Sequence, residues 1–278
     1  MNRMTDTPTP SAVALTGASG KIGSALRLPL RDHVSHLVLV DRVPPAEPLA
    51  ANERSVTVDL RDAAATVAAL AGVAAVVHMA GIPDEAPFAD LLEANVLCTH
   101  HVLEAARVNG IARTVLASSN RAAGFYPNAH LTRPRDAVRP DGLYGVSKVA
   151  VEALGRMYAD KFGLSVSCLR IGSFEDVPSE ARHLATWLSH RDAGGFVREA
   201  LRAGAPGDFD ITYAVSGNPR RFWELTGSYT PVDDASAYAE MIPGADAPFA
   251  PDAPQSGRFA TPEFTLPHLP KLPHLPLP

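Results

Sequence analysis

Short apolar runs alternate with helix-period stretches through roughly the first 170 residues of the chain. Ser11–Thr16 is an apolar run that ends in glycines, and Ile22, Ala25 and Leu26 follow it at helical spacing. His36–Val40 is a second run, closed by Asp41 and Arg42, and Ser55–Val58 is a third, before Asp59. The spacing then predicts a helix over 62–71 and a strand over Val73–His78. A fifth strand, Arg113–Ala117, ends in Ser118-Ser119-Asn120, and a sixth, Leu164–Ile171, follows a long helix over Tyr144–Phe162. Strand-like runs separated by helices of about ten residues or more predict crossover units and a buried parallel sheet. The pattern therefore predicts an α/β fold on an open, doubly wound parallel sheet.

Phe88–Val108 carries one apolar stripe, through Phe88, Leu91, Leu92, Val96, Val102 and Leu103. Asn95 falls on that stripe, so its side chain needs partners inside. It reads either as a satisfied core amide or as an amide serving a nearby site. After about residue 172 the alternation weakens, and helical pieces at 182–188 and 195–202 mix with irregular polar stretches. This predicts a small substrate-side annex within a main domain of residues 11–242. Residues 1–10 read as a disordered lead-in, and proline dominates from 243 to 278. The end repeats Leu-Pro every three residues from Leu266. In polyproline II that period places the leucines on one face, in a solvated tail or a docking strip.

Composition narrows the function classes. A net charge of -5 gives no general reason to bind nucleic acid or an anionic membrane. No apolar run approaches the roughly 20 residues of a membrane helix, and the first ten residues lack an apolar signal core. Cys98 and Cys168 stand far apart and read as packing, so a reducing, cytoplasmic setting is expected. The ten histidines show no HExxH spacing, and neighbours His100 and His101 point about 100° apart on a helix. No dedicated metal site is expected.

The first strand-to-helix turn reads Thr16-Gly17-Ala-Ser-Gly20-Lys21-Ile22-Gly23. Glycines there allow a tight turn and let backbone approach a pyrophosphate at the helix N-terminus. Such glycines also serve helix packing alone, but the context is that of a dinucleotide site, with an acid at the end of the second strand. That acid, Asp41, can accept hydrogen bonds from a ribose diol and would repel a 2′-phosphate. NAD is therefore favoured over NADP, although Arg42 beside it could hold a phosphate. Asp59 and Leu60, ending the third strand, are placed to flank the adenine.

Tyr144-Gly-Val-Ser-Lys148 sets a phenol and an ammonium on one helix face at i and i+4. A nearby positive charge lowers a phenol's pKa and makes it a proton acceptor matched to an alcohol. Ser119, just past the fifth strand, can hydrogen-bond the same reacting oxygen. Gly17, Asp41, Gly81, Ser119 and Ser173 should all gather at the carboxyl ends of the strands, where ligands of open sheets bind.

This ordered set resembles the extended short-chain dehydrogenases: TGASGKIG at 16–23, HMAG at 78–81, ASSN at 117–120 and YGVSK at 144–148. SSNRAAGFYPN, RPDGLYGVSK, RMYADKFG, LRIGS and ATWLSHRD further resemble the uronate dehydrogenases. The resemblance spans about residues 11–240. It implies a Rossmann-type, homo-oligomeric enzyme that uses NAD to oxidise the anomeric hydroxyl of a hexuronate to an aldarolactone. By position, Tyr144 would be the base, Lys148 would hold the nicotinamide ribose, and Ser119 would contact the sugar. Met79, Ala80 and Gly81, together with Asn95, would complete the cofactor site begun by Gly17, Gly20, Lys21, Ile22 and Gly23. Asn120, Arg121 and Ser173 would face the substrate, and Arg182 would bind its carboxylate through a planar fork. The alternative reading of Arg182 is a solvated helix charge. Pro83 stands where those enzymes tend to have serine and Arg121 where histidine is usual, which predicts altered polar recognition, towards a more anionic substrate. A nucleotide-sugar epimerase or dehydratase shares the sheet, glycines and Tyr-Lys pair. A non-catalytic dinucleotide sensor shares the sheet, but such proteins often lose the pair.

Overall fold

The structure, a computed structural model, describes residues 10–202 and 204–270. The first crossovers form as the periodicity predicts. β1 (Ala12–Thr16) leads through α1 (Lys21–Arg31) to β2 (His36–Asp41) and β3 (Glu53–Thr57). Asp62 caps α2 (Ala63–Ala69) by accepting the Ala65 N–H at 2.9 Å. After β4 (Ala75–His78) one continuous helical segment holds α3 (Phe88–Leu91), a π-helical stretch over Leu92–Leu97 and α4 (Cys98–Val108). β5 (Arg113–Ser119), α5 (Leu143–Phe162) and β6 (Ser165–Ile171) complete the expected set.

The sheet has seven parallel strands in the order β3-β2-β1-β4-β5-β6-β9. The seventh, β9 (Phe209–Ala214), lies beyond a two-stranded piece, β7 (Ser173–Phe174) with β8 (Trp187–Leu188), and beyond α6 (His183–Thr186) and α7 (His190–Arg202). The sequence pattern stops at six strands. β9 is an edge strand buried mainly at its end, and its Phe-Asp-Ile-Thr-Tyr alternation is masked by the polar stretches around it.

Alternate strand residues feed the two faces. Val13, Leu15, Leu37 and Leu39 pack toward α1 and α7, while Ala14, Val38 and Val40 pack with residues of α4 and α5 such as Leu103, Val151 and Tyr158. The strand order reverses between β1 and β4, so a crevice opens at their carboxyl ends. No helix of the described residues is long and apolar enough to cross a membrane.

The proline-rich region packs against the main domain over its described residues. Through Pro270 it folds back on the loop between β5 and α5. The Asn128 N–H donates to the Ala253 carbonyl at 2.8 Å, and the Gln255 N–H donates to that of Tyr126 at 2.8 Å. The Gln255 side chain, 1% exposed, accepts from Trp223 Nε1 and the Thr132 hydroxyl, and it donates to the His130 and Pro127 carbonyls. Proline removes N–H donors, but the residues between the prolines carry the hydrogen bonds, and Phe249 stacks edge-on against Phe222. The later Leu-Pro repeats, from Lys271, and most of the lead-in lie outside the described residues.

Candidate functional site

Two adjoining cavities of about 590 and 600 Å³ share Met79, Gly81 and Ile82 at the β1/β4 reversal. The first runs from the glycine turn over the ends of β2 and β3. Gly17, at φ 71°, has no room for a side chain, because a Cβ there would lie 2.5 Å from the Ala80 nitrogen. Gly81 is equally constrained, since a Cβ there would lie 2.5 Å from the Asn95 Oδ1 atom. Asp41 Oδ2 accepts the Ser19 N–H at 2.9 Å and Oδ1 accepts the Arg42 N–H at 2.6 Å, which fixes the carboxylate on the groove wall. Asp59 and Leu60 line the far end with Arg61. The Arg61 guanidinium holds the Asp59 carboxyl down at about 2. A narrow glycine floor at a helix N-terminus, an acid at the ribose position and a pocket beyond it fit a dinucleotide.

Gly23 and Asn95 lie off these walls. Asn95, 1% exposed, accepts the Ile82 N–H at 2.8 Å and donates to the Ile82 carbonyl at 3.2 Å and the Ser147 hydroxyl at 2.9 Å. Ser147 in turn donates to the Tyr144 carbonyl at 2.7 Å. The amide thus ties the loop after β4 to the first turn of α5, and the π-helical stretch carries it inward. It serves the site by positioning.

The second cavity gathers Ser119, Asn120, Tyr144 and Lys148 with Ser173 and Arg182. Lys21 and Ile22 reach its mouth, where Lys21 is paired with Glu175. Tyr144 is 7% exposed and burial pushes its phenol up to about 12, with Ser119 and Arg121 pulling the other way. Lys148 Nζ stands 5.6 Å from the Tyr144 ring centroid and donates to the Ala117 carbonyl at 3.0 Å. Burial brings the amine down to about 8. The pair is thus close and buried, with Ser119 and Arg121 among the groups that favour the phenolate.

Arg182 is not a solvated helix charge. It lies beside the cavity, with Nε donating to the Gln255 carbonyl at 3.0 Å and Nη1 to the Ser173 hydroxyl at 3.2 Å. Burial lowers its pKa to about 10.

Arg121 also lines the second cavity, and its guanidinium is held by three carboxylates. Nε donates to Asp141 at 2.9 Å, Nη1 to Asp84 at 2.6 Å and Nη2 to Glu85 at 3.0 Å. It also sits about 5 Å from the ring centres of Tyr144 (5.0 Å), Phe259 (4.8 Å) and Phe264 (5.2 Å). Glu85 accepts the Leu143 and Tyr144 N–H groups at 2.8 and 3.1 Å, capping α5. Thr265, the last residue of α8 (Pro262–Thr265), donates to the same carboxylate at 3.1 Å. Sequence reasoning missed Glu85, Asp141, Arg258 and Phe259. Asp84-Glu85 was a visible acidic pair, whereas nothing local marked the C-terminal residues.

With this geometry established, comparison with known proteins is informative. The model of the NAD dependent epimerase/dehydratase family matches residues 13–223. The chain is 38% identical to a uronate dehydrogenase of Agrobacterium fabrum over 82% of its own length and 87% of that protein. It is 35% identical to an NAD-dependent glucose-6-phosphate dehydrogenase of Haloferax volcanii, over 81% of this chain and 95% of that one. Among solved structures, a uronate dehydrogenase variant from Agrobacterium tumefaciens complexed with NAD superposes with a TM-score of 0.83 at 36% identity, covering 92% and 99% of the two chains.

Proposed function

The chain belongs to the NAD dependent epimerase/dehydratase family, and from that premise we propose that it is an NAD-dependent dehydrogenase that oxidises the anomeric hydroxyl of a hexuronate to an aldarolactone. The observation that carries the reading is Arg182, a guanidinium in the same cavity as the Ser119–Tyr144–Lys148 cluster and hydrogen-bonded, among the described residues, to neutral oxygens. Such a fork matches a carboxylate through two parallel hydrogen bonds.

Bound NAD supplies the hydride acceptor. Tyr144 takes the hydroxyl proton as the C–H electron pair leaves as hydride, so the alcohol carbon loses two electrons and becomes a carbonyl. Ser119 orients the reacting oxygen. Lys148, buried beside the phenol, holds the nicotinamide ribose and fixes the base. Ser173, hydrogen-bonded to Thr186 at 2.8 Å, holds Arg182 in the plane facing the substrate carboxylate. Asn120 lines the same cavity, 6% exposed.

The deciding experiment mixes the protein with NAD and galacturonate, glucuronate or neutral sugars and follows NADH absorbance. Net NADH with the acids supports the reading; an epimerase gives none and sinks it. Arg182→Ala is expected to raise KM for the hexuronate by about 100-fold, in line with the loss of a charge-assisted hydrogen-bond pair. An unchanged KM would reject its role.

Asp41 carries the preference for NAD. Asp41→Ser is expected to lower kcat/KM for NAD about tenfold and to raise that for NADP, because Arg42 remains and the repelling carboxylate is gone. Parallel titrations with the two cofactors measure the ratio, and an unaltered ratio would remove Asp41 from this role.

A further inference from the structure

We propose that Arg258 is a specificity-determining residue, forming with Arg182 a two-cation clamp on the anionic group of the substrate. The inference rests on the reading of the site as a sugar-acid dehydrogenase and deepens it. Arg258 lies in a 3₁₀ turn, Gly257–Ala260, at the wall of the second cavity. The buried Gln255 anchors that turn, and Gly257, at φ 58°, packs against Arg182. Both guanidinium groups stand over one ring, Phe259, at 5.4 Å for Arg182 and 5.1 Å for Arg258.

Two like charges on one ring repel unless something between them is negative. Among the described residues no carboxylate forms an ion pair with either. Glu180, which lines the cavity, and Asp141 act on Arg182 from beyond ion-pair distance, and Asp141 is paired with Arg121. Of the other cations of the cavity, Lys21 is matched by Glu175 and Arg121 by three acids, while Lys148 donates to the Ala117 carbonyl. Arg182 and Arg258 line the same cavity as Ser119 and Tyr144, where a sugar carboxylate or phosphate would lie. Arg258 is exposed, so solvent weakens it relative to Arg182 and its effect should fade with salt.

The test compares wild type, Arg258→Gln and Arg258→Lys on galacturonate, glucose 6-phosphate and neutral galactose. Arg258→Gln is expected to raise KM for the oxidised anion about five- to tenfold, with the loss falling on KM far more than on kcat. Arg258→Lys should recover part of it, and added salt should narrow the gap from wild type. Whichever anion is oxidised identifies carboxylate or phosphate as the group held. An unchanged KM in an active, folded Arg258→Gln protein overturns the clamp. So does an equal loss for neutral galactose or for Arg258→Lys, since that loss would be one of packing. If wild type oxidises no uronate, the functional reading fails by itself. Calorimetric titration of the NADH-bound protein with galactarate then judges the clamp: weaker binding by Arg258→Gln sustains it and equal binding overturns it.

Discussion

Tyr144→Phe is expected to lower kcat about a thousandfold while leaving cofactor affinity nearly unchanged, the size of effect typical of a lost general base. The substitution removes one oxygen and keeps the ring. Arg121, 5.0 Å from the ring centre, retains its aromatic neighbour, and the Glu85 cap on the Tyr144 N–H does not involve the side chain. The variant should therefore fold and bind NAD, which quenching of protein fluorescence would report. A pH profile adds a second readout. With burial holding the phenol near 12, the phenolate is a minor form at neutral pH. Wild-type kcat/KM should then rise as pH increases, because each step upward populates more of the base. Lys148, lowered to about 8, sheds its charge over the alkaline part of that range and should flatten the rise there. The residual rate of the Phe variant should lack this slope. A variant retaining more than a tenth of wild-type kcat would show that the proton leaves by another route.

What was legible in the sequence follows from how local each signal is. The six alternating runs, the glycine turn and the Tyr-Lys spacing depend on residues a turn or a strand apart, and the folded chain brings them to one crevice. Asn95 was legible as a polar group forced inward, but its partners, Ile82 and Ser147, lie 13 and 52 residues away. No local pattern chooses between a core amide and a positioning one. β9 was lost because an edge strand buries only part of its surface. The C-terminal return was lost for a different reason. Proline content reports missing donors, not where the remaining donors go, and a single buried glutamine, Gln255, sets the course of that segment. The acids around Arg121 were not legible, because charge at one position says nothing of charge brought to it by 84–85 and 141. The same blindness hid Arg258, which forms no ion pair with a carboxylate among the described residues.

The Arg121 knot leads to the second large effect. Arg121→Met should destabilise the fold by about 3–5 kcal/mol at pH 8, the cost of breaking a buried ion pair and stranding its partners. Methionine fills much of the volume between the Tyr144, Phe259 and Phe264 rings, so the loss is chiefly electrostatic. Of the three carboxylates, Asp84 is largely exposed and adds little, whereas the Glu85 and Asp141 side chains are 1% and 0% exposed. Asp141 is raised by burial to about 6 even with the arginine pulling it down. Removing the arginine raises it further. A carboxyl whose folded pKa exceeds its unfolded value binds more protons when folded, so stability falls as pH climbs through that window. In the variant the window extends upward, and the gap in Tm from wild type should widen between pH 6 and pH 8. Because Glu85 also caps α5 and holds Thr265, loosening should reach the helix bearing Tyr144 and the C-terminal turn bearing Arg258. The partially protected variant should then lose its C-terminal segment to protease earlier than wild type does. A Tm difference that stays constant across this pH range would mean that the knot holds by packing alone and that its buried acids carry no charge worth neutralising.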